Sequence, residues 1–156
     1  MGYLFTEGFH IVSAMILFGT SIGLAFYLLA ANAQKEVPVV YFAIRQSVKA
    51  KWFFIIPALV AQLGTGLGIM HVAHFSLIDN VWLQVGITCY VAACVCWLLA
   101  LVLQCKMRTE VKVVIDKNSR ALSRRYWRLS RQWIVLETFA LGAVFAAFWF
   151  MMTQPF

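Results

Sequence analysis

From Trp52 to Phe75 the chain runs about 24 residues without a lysine, arginine, aspartate or glutamate. At a helical rise of 1.5 Å per residue that is enough to cross a hydrocarbon core of roughly 30 Å. An unpaired backbone amide or carbonyl costs several kcal/mol in hydrocarbon, so a run of this kind has to be helical. Three further apolar runs, about 8–32, 82–105 and 132–152, repeat the pattern. With 63% hydrophobic and 12% charged residues, the composition is that of an integral membrane protein and not of a soluble domain. The expected fold is all-α: a four-transmembrane-helix up-and-down bundle in one domain spanning residues 1–156.

Charge sets the expected orientation. All thirteen lysines and arginines lie in two places: Lys35, Arg45, Lys49 and Lys51 before the second run, and nine between Lys106 and Arg131 against Glu110 and Asp116. Cationic connections stay on the cytoplasmic side, which predicts a bacterial inner-membrane protein with both termini periplasmic. The net charge of +7 therefore reports topology, with anionic headgroups at the 106–131 loop as expected partners and no nucleic acid. Arg120, Arg124, Arg128 and Arg131 recur at helical spacing, so the fourth helix should begin before the membrane. Within the first basic stretch VPVVYFAI is too short to span and is expected along the interface as a short helix after Pro38. Pro57 falls where the second span begins, at a position where its missing donor costs least.

The three histidines are the candidate site. His10 lies just inside the outer end of helix one, and His71 and His74 lie at the outer end of helix two. At about 100° per residue, Gly64 and Gly68 fall 20° and 60° from His71, forming a bare groove that leads to it. Imidazoles from two helices at matching depth can take both axial positions of a haem iron, with small residues making room for the macrocycle. The leading expectation is a b-type haem protein handling electrons near the outer face, with His10 and His71 as ligands and His74 nearby. Two other readings stand beside it. One is a divalent metal on His10, His71 and His74, with Glu7 or Asp79 supplying a carboxylate. The other is a non-catalytic membrane subunit or assembly factor whose histidines are structural, with a membrane-protein partner or an oligomer as its contact.

Glu137 is the one acid inside a predicted span, about six residues beyond Arg131. Acids at such depth are paired or functional, so it is expected to pair with Arg131 or a first-loop arginine, or to relay protons on the cytoplasmic side. Gly19 and Gly23 of GTSIG should let helix one approach a neighbour closely. The four cysteines, Cys89 to Cys105, share one helix and cannot reach disulfide geometry there. No nucleophile and base pair, phosphate-binding loop or paired-carboxylate site appears, which leaves hydrolysis and phosphoryl transfer without support.

The segments FHIVSAMILFGTSIGLAFYLLAA, WFFIIPALVAQLGTGLGIM and VWLQVGITCYVAA resemble a family of small bacterial membrane proteins known only as a domain of unknown function. They are more distantly similar to the membrane-bound, haem-containing protoporphyrinogen oxidases and to copper-resistance membrane proteins. That likeness implies His10 as a haem-ligand candidate and a matching proline-to-glycine second helix, Pro57 to Gly68. The oxidases are also expected to carry a lysine soon after the third-helix tryptophan, where this chain has Gln84, Val85 and Gly86.

Overall fold

The structure, a computed structural model, describes residues 2–78, 80–119 and 121–153. It contains the helices α1 (Gly2–Gln34), α2 (Val37–Ala50), α3 (Ile56–Val72), α4 (Val81–Asp116) and α5 (Arg124–Thr153). A π turn over Lys51–Ile55 joins α2 to α3 without a break. Four continuous helical segments result, Leu4–Gln34, Val37–Val72, Val81–Asp116 and Arg124–Thr153, each long and apolar enough to cross a membrane. No strand occurs among the described residues, and the fold is the expected four-span bundle.

The spans are longer than the apolar runs suggest. VPVVYFAI is helical, as expected after Pro38, but it is not a separate short helix: Val37, Val40, Ala43 and Ile44 are buried, and α2 runs on into α3 within one segment long and apolar enough to cross a membrane. Its start is set by Glu36, extended at φ −82°, and by Pro38 in the first turn, where no amide donor is needed. The basic stretch 106–131 is likewise mostly helix, since α4 continues to Asp116 and α5 begins at Arg124. At 36 residues α4 is about 54 Å long, so it projects well past a 30 Å core. Arg124, Arg128 and Arg131 are exposed on α5, and Arg120 lies outside the described residues.

Pro57 sits inside a long helix, not at its start. Its ring excludes the ordinary bond to the carbonyl four residues back, and the chain responds by widening. The Ile56 amide bonds to the Lys51 carbonyl, five residues away, which defines the π turn. Helix ends are closed by left-handed residues. His74 (φ 53°) follows α3, with the Phe75 amide donating to the Met70 carbonyl at 3.1 Å. Asn118 (φ 55°) follows α4, with the Ser119 amide donating to the Val114 carbonyl at 3.1 Å. Both are Schellman closures, and His and Asn are among the few residues other than glycine that tolerate this region.

The hairpin α4–α5 forms the largest contact; α3 packs mainly on α1, and α2 packs on α4 and α1. One apolar cluster, including Leu28, Val40, Ile44, Met107 and Tyr126, fills the basic end of the bundle. A second, with Leu17, Ile55, Leu59 and Trp97, fills the histidine end. Gly19 and Gly23 do not serve this packing: a Cβ at either would meet nothing within 4 Å. The buried stripe of α1 runs through Ser13, Leu17, Ser21, Leu28 and Asn32, and the glycines lie off it.

Candidate functional site

Burying apolar side chains against lipid tails gains little, so interhelical polar bonds and close packing carry much of the specificity of a membrane bundle. The polar side chains of this bundle fall into layers along its axis. At the basic end, Asn32 of α1 donates from Nδ2 to Ser130 Oγ (3.1 Å), while the Tyr126 hydroxyl donates to Asn32 Oδ1. All three side chains are buried.

Deeper lies an ion pair. Lys51, at the start of the π turn, meets Glu137 of α5 with Nζ 2.8 Å from Oε2, and the two side chains are 2% and 3% exposed. The other described lysines and arginines are all exposed. The expected partner of Glu137 was an arginine, Arg131 or one of the first loop, and the partner is Lys51. In sequence Lys51 lies just outside the expected span, because it precedes Trp52, which marks its edge. The helix instead continues through Lys51, and Trp52 points outward into a shallow groove with Leu101, Val102 and Cys105. A charged residue ends a span only when it has no partner within it.

The third layer joins α1 to α3 at the histidine end. Ser13 Oγ bonds to Gln62 Oε1, Gln62 Nε2 lies 2.8 Å from His10 Nε2, and His10 Nδ1 lies 2.9 Å from Thr65 Oγ1. The Thr65 hydroxyl in turn donates to the Ala61 carbonyl at 2.6 Å. One set of protons satisfies this chain. The Gln62 amide donates to Nε2, and neutral His10 carries its proton on Nδ1 and donates it to Thr65. Both ring nitrogens are then engaged. Gly66 lies under the imidazole, where an added Cβ would come 3.4 Å from Cε1.

The three histidines do not converge. His10 is level with Thr65 and Gly66, and His71 lies five residues further along α3, about 8 Å at 1.5 Å per residue and about 140° round the helix. His71 and His74 are exposed, and His74 forms the left-handed closure of α3. Of the proposed groove, Gly64 has nothing within 4 Å and Gly68 faces Thr6. As they stand, these residues do not form a two-histidine cradle for a haem. Among the described residues no group of three or more His, Cys, Asp or Glu side chains could hold a metal ion, and Asp79 lies outside them.

The profile of the family described as predicted integral membrane protein (DUF2269) matches residues 5–155. The chain belongs to this family. No curated protein and no solved structure matches it.

In this DUF2269 protein the polar residues that make interhelical bonds are mostly ones that look unremarkable in sequence. Tyr90 does what its position in a span suggests, donating across to the Leu59 carbonyl at 2.7 Å. Gln84 caps the turn through the Leu77 carbonyl at 2.6 Å and stays exposed. Gln62 and Thr65, three residues apart on α3, share the face that meets His10. That spacing is the signal from which the third layer could be found. Ser13, three residues after His10, falls on the same side of α1 by helical spacing, and it is buried there.

Proposed function

We propose that this integral membrane protein acts as a non-catalytic membrane subunit or assembly factor, in which His10 and the buried ion pair tie the helices to one another. The observation that carries this reading is the closed hydrogen-bond chain through His10, which engages both ring nitrogens with Gln62 and Thr65. A haem ligand presents one ring nitrogen to the iron and steadies the other with a protein partner. His10 would have to leave one of its two partners to do so. The exposed apolar surface of α1 and α3, with Gly19, Gly23 and Gly64 uncovered, supports a role in which lipid or another membrane helix covers these faces.

The orientation proposed with it places the connections around 35–36 and 117–123 in the cytoplasm of a bacterium and both termini in the periplasm. Clustered cations at one end of the bundle support this, with Lys106, Arg108, Lys112, Arg124 and Arg128 all exposed there. Anionic headgroups are the natural counterions for that surface.

The test is an absorption spectrum of protein purified from cells supplied with a haem precursor, followed by titration with hemin. A colourless preparation that hemin does not convert supports the subunit reading. A Soret band that is lost in His10→Ala, while the variant still folds, would overturn it in favour of a b-type haem protein near the outer face. A reporter fused after Phe156 that is active only in the cytoplasm would overturn the orientation.

A further inference from the structure

Seven buried side-chain polar atoms have no protein partner among the described residues, and they belong to six residues: Ser21, Ser47, Trp97, Gln104, Trp133 and Glu137. Their positions along the bundle are not scattered. Ser47 and Trp133 each precede a member of the Lys51–Glu137 pair by four residues. The helices α2 and α5 run the same way, so the two share a layer one turn towards the basic end. Two contacts set the register of α4 against α5: Glu110 with Arg125, and Gly86 with Met151. Interpolating between them puts Gln104 opposite about residue 132, in that same layer, and Trp97 opposite about residue 139. On α1, the contacts Asn32 with Ser130 and Phe18 with Phe145 put Ser21 opposite about residue 141. All six residues therefore lie within about five residues of the ion pair along the bundle axis, roughly 8 Å at 1.5 Å per residue.

Gln104 is the most telling. It is fully buried, and both its amide nitrogen and its amide oxygen lack a protein partner. Such an arrangement is expensive in a dry interior, where each stranded amide group costs several kcal/mol. A water needs two to four polar partners, and this slab offers them in number. The ion pair makes the same demand, because Glu137 Oε1 is unpartnered while Oε2 holds Lys51. A buried pair repays its desolvation only when its remaining lone pairs and protons are bonded.

We infer that the centre of the bundle is an internal water site, in which ordered waters bridge Glu137 Oε1, Gln104, Ser47 and the Trp133 indole and so solvate the Lys51–Glu137 pair. The Asn32–Tyr126–Ser130 layer closes it towards the basic end, since those three groups bond one another and Tyr126 has no exposed surface. The ligand is water, and Gln104, with two donors and an acceptor on one side chain, is its main anchor.

X-ray hydroxyl-radical labelling of the protein in lipid nanodiscs tests this, because radicals formed from bound water oxidise the side chains next to it even where bulk water is excluded. Trp133 and Trp97 should be labelled several-fold faster than Tyr126, an equally buried aromatic whose hydroxyl is bonded to protein. In Gln104→Leu, which keeps the volume, labelling of Trp133 should fall several-fold and the melting temperature should drop. Labelling of both tryptophans at or below the rate of Tyr126 would overturn the inference. So would a rise in melting temperature for Gln104→Leu, since removing two stranded atoms from a dry core stabilises it. Ser47→Ala, a smaller change in the same layer, should lower Trp133 labelling in the same direction, and unchanged labelling in both variants would also refute a shared water cluster.

Discussion

Breaking the Lys51–Glu137 pair from one side is expected to be far more damaging than removing it altogether. In Glu137→Leu the Lys51 ammonium, 1% exposed in a long helix, keeps its place but loses the one carboxylate that balances it. An uncompensated buried charge of this kind costs about 3–5 kcal/mol. Lys51→Met leaves the Glu137 carboxylate in the same position with the opposite sign, and the same range applies. The double variant Lys51→Met/Glu137→Leu removes both charges and replaces them with side chains of similar volume, an exchange that is often neutral or stabilising. For a chain of 156 residues, roughly 2–4 °C in melting temperature corresponds to 1 kcal/mol, so each single variant should lose about 6–20 °C. The double variant should recover most of that loss. Thermal unfolding in detergent, followed by the loss of the monodisperse peak in size-exclusion chromatography, measures all three. If the single variants melt within a degree or two of the parent, or the double variant loses the sum of both, the pair is not the buried ion pair described above.

Three smaller perturbations address the remaining layers, each read as a shift in the same melting curve. Tyr126→Phe removes the hydroxyl that bonds Asn32 Oδ1 and leaves a buried acceptor unmet, which should cost about 1–3 kcal/mol. Replacement of Asn32 by alanine in the same background should then cost little more, because the two changes share one network. Gln62→Leu should destabilise by a similar 1–3 kcal/mol, since it strands His10 Nε2 and leaves the Ser13 hydroxyl only the His10 carbonyl of its own helix; an unchanged midpoint would mean the α1–α3 layer is not formed. His74→Gly should stabilise by about 0.5–1 kcal/mol by relieving a side chain at φ 53°, and a fall in midpoint would show that the imidazole does more than close α3.

The all-α fold and its four long apolar helices were legible in sequence because hydrocarbon admits one backbone solution and the length of each apolar run announces it. The ends of the spans were not. Residues 106–116 and 124–131 are too charged to count as membrane segments, yet they are helical because each continues a helix already nucleated by its neighbour, and adding a residue to an existing helix is far easier than starting one. The site was legible in part. At about 100° per residue His10, Ser13 and Ser21 fall on one face of α1, and the buried Ser13 and Ser21 lie there, since a wheel is reliable within one unbroken helix. The convergence of His10 with His71 was not, because depth along α3 depends on how α1 slides against it. That register is set by Thr6 on Gly68 and His10 on Gly66, contacts between residues that carry no pattern of their own.

The π turn links these matters. An ordinary helical turn closes over four residues, and the bond from the Ile56 amide to the Lys51 carbonyl closes over five, so the helix falls behind in rotation as it passes this point. The buried stripe of α2, through Val40, Ile44 and Ser47 and on to Lys51 at the π turn, looks towards the rest of the bundle, whereas the half-buried polar pair of α3, Gln62 and Thr65, looks towards α1. A straight wheel drawn from Val37 to Val72 assigns both stripes to one direction and so cannot give Lys51 a partner on α5 while giving Gln62 a partner on α1. Pro57 makes the difference, because its ring forbids the bond that would have kept the helix regular. One proline within the second span thus lets a single helix serve two polar layers: an ion pair in the middle of the bundle and a histidine clamp at its end.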